Sequence, residues 1–115
     1  MKQGLYHKDL GNFPTLNVAN VDVTPRYTLH AHNAAETDRY GIIELPATIN
    51  LSKSTIIEIE VGAHETIEKV VARMDYDDEF DLCMAIIPDG LVVKTVWLNC
   101  KDDEHFTLDS SKYVR

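Results

Sequence analysis

A histidine and a threonine stand two residues apart at His105-Phe106-Thr107. Residues so spaced share a face of an extended strand, so the pair can address one ligand, with the imidazole as acid or base and the hydroxyl as a hydrogen-bond partner. His30 and His32 are also two apart, but in a helical stretch, where that spacing turns them about 200° from each other and prevents joint ligation of a metal. Glu36 adds a single partner to His32, so neither a metal nor a cofactor is expected. Thr95 and Trp97 share the face of another strand, Thr95 as an ordinary strand residue and Trp97 as a core aromatic or a stacking platform. Lys69 and Arg73 share a polar face, suited to a phosphate or to pairing with Glu58 or Glu60 across a sheet. Asp75, Asp77, Asp78 and Glu79 read either as a solvated turn or as an acidic surface for a basic partner. The chain has no Ser-His-Asp logic, phosphate-cradling glycine loop or dinucleotide fingerprint.

Several elements must position these residues. The stretch from Thr28 to Tyr40 is Ala-rich and free of Gly and Pro, which predicts a helix capped by Thr28 and stopped by Gly41. Ile42, Ile43 and Leu45 lead into Pro46, a sheet edge or a loop. Residues 55–61 alternate, which places Ile57, Ile59 and Val61 on one face and Glu58 and Glu60 on the other. Residues 68–76 repeat the pattern, setting Val70, Ala72, Met74 and Tyr76 against Lys69, Val71, Arg73 and Asp75. Residues 80–87 are nearly all apolar, as in a central strand. Pro88-Asp89-Gly90 turns the chain back into 91–98.

The fold expected is α+β: an antiparallel β-meander of about four to five strands with one main helix packed on one face. Residues 1–25, punctuated by Gly4, Gly11, Pro14 and Pro25, form an extended N-terminal arm with room for one short strand around Val18, Val21 and Val23. Residues 26–115 form a single α+β domain, and the arm is available for contacts in a homo-oligomer.

The net charge is -8, and it is unevenly spread: residues 41–80 hold three Lys/Arg against nine Asp/Glu. Such a surface repels phosphate backbones, which argues against nucleic-acid binding by the whole molecule. Cys83 and Cys100 have no metal-ligand spacing, and Cys83 lies in an apolar strand as a buried free thiol. Nothing resembles a signal peptide or a membrane span, so a cytoplasmic protein is expected.

The segment Tyr27-Thr-Leu-His-Ala-His-Asn-Ala-Ala-Glu-Thr-Asp-Arg-Tyr-Gly-Ile42 resembles the opening helix of small toxin-like domains related to the RelE and BrnT families, with His30-Ala31, Arg39, Gly41 and Ile42 in the matching places. The later meander, ending in Val93-Lys-Thr-Val-Trp97, is similar to the sheet of the same group. That resemblance implies a metal-independent ribonuclease with His30 and Arg39 on the helix and Thr95 on the strand, and geometry adds His105 as an acid or base. His105-Phe-Thr107 also resembles one half of the paired His-x-Thr motifs of two-histidine phosphoesterases. Asp38-Arg-Tyr-Gly41 and Lys94-Thr-Val-Trp-Leu-Asn99 look like segments of small phage proteins.

Two functional readings result. In one, the chain is a small acidic binding or inhibitor protein of phage or mobile-element type, which docks on a basic host protein or sequesters a small ligand through Asp75, Asp77, Asp78, Glu79, Trp97 and Thr107. In the other it is the ribonuclease, acting through His30, Arg39, Thr95 and His105. The acidic balance departs from such toxins, which are usually basic, and favours binding.

Overall fold

The structure is a computed structural model that describes residues 2–103 and 110–114. His105 and Thr107 lie outside the described residues. The fold is α+β: among the described residues, a six-stranded sheet and one α-helix. The strands are β1 (Gly4–His7), β2 (Arg26–Tyr27), β3 (Thr55–Val61), β4 (Ile67–Asp75), β5 (Phe80–Ile87) and β6 (Val92–Cys100), and the helix α1 spans Leu29–Glu36. The order across the sheet is β1-β3-β4-β5-β6-β2. The expected meander is its centre, β3 to β6, every neighbouring pair antiparallel.

The two ends of the sheet come from the N-terminal segment. The arm does contribute a strand, but at Gly4–His7, antiparallel to β3, instead of around Val18–Val23. Among those valines only Val23 forms a bridge, with Ile49. Arg26 and Tyr27 run parallel to the start of β6, so the sheet is not purely antiparallel. A C-terminal piece lies outside β1: Tyr113 bridges Leu5, and the Val114 N–H donates to the Leu5 carbonyl at 2.7 Å.

α1 begins as its residues dictate. The Thr28 side chain accepts the Ala31 N–H at 3.1 Å and donates to the Lys94 carbonyl at 3.0 Å, so one hydroxyl both caps the helix and ties it to β6. Ala31 and Ala35, four apart, are fully buried and allow close approach to the sheet. The helix stops at Glu36, short of Gly41. Asp38 is the reason, because its carboxylate accepts the N–H groups of Tyr40 and Leu98, drawing the chain out of helical register and blocking the outer edge of β6.

The main core lies between the sheet and a layer made of α1 and the segments around it. Ile59, Val61, Val70, Ala72, Leu82, Met84, Ile86, Val93, Val96 and Leu98 meet Ala31, Ala35, Ile43 and Ile49 there. Ile42–Pro46 is a loop. The other face of the sheet has a small cluster of Ile57, Val71 and Ala85, with Trp97 packed against it, half-buried.

Ile57 therefore corrects the alternation expected for β3. Two residues, Ile57 and Glu58, stand opposite Val71 where the register shifts, and this bulge sends Ile57 to the face opposite Ile59 and Val61. A register shift in β5–β6 leaves Lys94 unopposed and keeps Thr95 across from Ala85. The Pro88-Asp89-Gly90 turn forms as expected, with the Leu91 N–H donating to the Pro88 carbonyl at 3.0 Å. Gly90 there has φ 76, which a side chain would resist.

Candidate functional site

The acidic residues singled out by the sequence fall at the β4–β5 turn and do different work. Asp77 shapes the turn: one carboxylate oxygen accepts the N–H groups of Glu79 and Phe80, both at 2.8 Å. Asp75 ends β4 directly opposite Asp81. Like charges so placed repel, and the sheet answers with two cations. Lys101 pairs with both Asp75 and Asp81, and the Arg73 Nε donates to the other Asp81 oxygen at 2.8 Å. Asp78 and Glu79 remain exposed at the tip.

Arg73 organises the surroundings. Its two terminal nitrogens reach across β5 and donate to the carbonyls of Asp103 at 2.7 Å and Cys100 at 2.9 Å. The Lys101 N–H donates in turn to the Glu79 carbonyl at 2.9 Å. The loop after β6 is thus held against the β4–β5 turn; its Asp102 and Asp103 are exposed, and Asp102 lines one cavity with Asp78 and Glu79. Two acidic loops far apart in sequence form one rim.

An aromatic floor lies beside that rim. Tyr40 stacks on Phe80 with ring centroids 4.8 Å apart, and the Arg39 guanidinium lies 4.7 Å from the centre of the Tyr40 ring. Tyr40, Asp78, Glu79, Phe80, Cys100, Lys101 and Asp102 enclose an open cavity of about 400 Å³. A larger cleft of about 500 Å³ lies on the sheet face opposite α1, between Lys8 and Asp9, Lys53 and Thr55, and the Arg73-Asp81-Lys101 group.

Titration follows these contacts. Burial alone would raise the Asp81 carboxyl, but hydrogen bonds from Lys101 and Arg73 outweigh it and hold the group below its ordinary value. Lys101 is raised by its hydrogen bonds to Asp75 and then Asp81. The Cys83 thiol is pushed up to about 12 by burial, which keeps it a protonated, unreactive packing group. Tyr40 is raised, first by its hydrogen bond with Cys100, with Arg39 opposing.

The remaining singled-out residues do not gather. His30 is exposed at the start of α1, and Arg39 is exposed beyond its end, over Tyr40. Thr95 lies across from Ala85, on the face away from α1. Trp97 shares that face, four strands from the β1 edge. Lys69 approaches Glu58 at 3.9 Å, whereas Arg73 takes Asp81 instead of either strand β3 glutamate. The described residues contain no cluster able to hold a metal.

Sequence reasoning missed Tyr40, Phe80, Asp81, Lys101, Asp102 and Asp103. One signal was available: a hairpin turning at Tyr76–Glu79 sets Asp75 against Asp81, and two opposed carboxylates demand a cation near both. Compared with family models, curated proteins and solved structures, the chain has no match.

Proposed function

We propose that the protein is a small acidic binding protein that docks on a basic surface of a partner protein through the rim formed by Asp78, Glu79, Asp102 and Asp103. The observation that carries this reading is the division of labour among the carboxylates. Asp75 and Asp81 are neutralised by Lys101 and Arg73, and Asp77 closes the turn. The four rim residues are exposed on loops fastened to each other by Arg73 and Lys101. A rim held in place loses less conformational freedom on binding than one on a mobile loop. The adjoining Tyr40 and Phe80 supply rigid aromatic contact area of the kind that anchors interfaces.

A basic probe tests the reading. Fluorescence anisotropy of a labelled octalysine peptide is expected to report saturable binding to the protein, and Asp78→Lys together with Glu79→Lys is expected to abolish it. Equal binding by the doubly reversed variant would refute the rim as the docking surface. The ribonuclease reading asks His30, Arg39 and Thr95 to work in one cleft. Thr95 is on the sheet face away from α1, so no contact favours that reading over the first. Incubation with total RNA in EDTA decides it, with intact RNA expected.

A further inference from the structure

A groove at the end of β4 has a chemistry of its own. It lies between the loop Glu44–Asn50 and the end of β4, holds about 400 Å³, and is floored by Ile49, Met74, Tyr76 and Leu82. Glu44, Pro46 and Tyr76 also line an adjoining open hollow that ends at Asp77, beside the docking turn. The floor is apolar and fixed: Ile49 and Leu82 belong to the main core. Tyr76 is held by the Glu44 N–H, which donates to its hydroxyl oxygen at 2.9 Å, and the Tyr27 hydroxyl donates to the Pro46 carbonyl at 2.6 Å. The borders carry Asp22, Glu44 and Asp75 against one cation, Lys53. Asp22 and Asp75 already accept from Asn50 and Lys101, whereas Glu44 is exposed and has no ion pair among the described residues.

We infer that this groove receives a lysine side chain of the basic partner, its methylene stem on Met74 and Tyr76 and its ammonium at Glu44. The inference rests on the docking role proposed above and adds to it a specific pocket and a specific residue type. An apolar floor bordered by carboxylates matches a side chain that is aliphatic along its length and cationic at its tip. The hollow that shares Glu44, Pro46 and Tyr76 with the groove reaches Asp77, so a chain crossing the β4–β5 turn can send a side chain through it. Charge complementarity then selects the register in which the partner docks.

The test uses the octalysine anisotropy assay with two variants. Glu44→Lys is expected to weaken binding about tenfold or more and to leave the fold intact, since the side chain is exposed. An octapeptide of 2,4-diaminobutyric acid, with the same charges on stems two methylenes shorter, is expected to bind the wild type several-fold more weakly and to lose its sensitivity to Glu44→Lys. Unchanged octalysine binding by Glu44→Lys, while the Asp78→Lys and Glu79→Lys variant loses it, would overturn the groove assignment and leave the docking role standing. Absence of octalysine binding to the wild type would overturn both. Displacement of octalysine by spermidine at equal concentration would overturn the partner assignment and give the groove to a free polyamine.

Discussion

Arg73 is a cation that spends each of its three nitrogens on the protein. It pairs with Asp81 and holds the backbone carbonyls of Cys100 and Asp103, and its side chain is 13% exposed. Removing it leaves Asp81 with Lys101 alone and frees the loop behind the rim at the same time. Arg73→Ala is expected to lower stability by about 2 kcal/mol in urea denaturation, since a largely buried carboxylate loses one of its two charged partners and two backbone carbonyls lose their donor. Arg73→Lys should recover only part of that, because one ammonium cannot serve three directions. The same cluster sets the response to acid and base. Asp81 has a lowered folded value, so its contribution is present above its ordinary 3.8 and is lost as pH falls through the lowered value. Lys101 is raised, so its contribution is complete below 10.5 and is lost as pH rises through the higher folded value. Thermal melting across pH should therefore be flat between these limits for this cluster, and Asp81→Asn should blunt the fall on the acid side.

At the scale of elements, periodicity announced what backbone competition then edited. Residues 55–61 and 80–87 form strands over the spans their patterns predict, because alternating and continuous apolar runs fit only a sheet of this depth. The bulge at Ile57 left no such trace: Ile57, Ile59 and Val61 keep perfect alternation in the sequence, and only the pairing with β4 reveals the extra residue. The helix start was legible in Thr28, while its end was not, because Asp38 reaches Leu98, sixty residues away. The edge strands were hidden for a similar reason. A two-residue β2 and a four-residue β1 have too few residues for a pattern and exist through pairing with β6 and β3. For the site, the acidic turn could be read directly, whereas its second loop and aromatic floor are joined to it only by the fold. Thr28→Ala is expected to cost about 1 kcal/mol from the cap, and somewhat more because the same hydroxyl holds Lys94. Ile57→Asp should be far more damaging than a surface change, since Ile57 is 1% exposed despite lying outside the main core. Circular dichroism melts distinguish the two.

Across the whole molecule, charge is arranged against geometry. The face toward α1 is closed by a continuous core, and the opposite face has a small apolar cluster with ion pairs at one end. The net charge of -8 gives the surface a negative field, and the loops fastened by Arg73 concentrate part of it beside an aromatic floor. Binding that depends on such a field brings partners together quickly and weakens as salt screens it. Exposed charges interact over about 10 Å at 0.1 M salt and over only about 3 Å at 1 M, so salt separates charge-led docking from docking by apolar contact. The most direct measurement is the octalysine dissociation constant at about 50 mM and about 300 mM salt, with the Asp78→Lys and Glu79→Lys variant run alongside. Charge-led docking at the rim predicts saturable wild-type binding that weakens about tenfold or more over that range, and no binding by the variant. Binding that ignores salt, or that survives reversal of the rim charges, would contradict it.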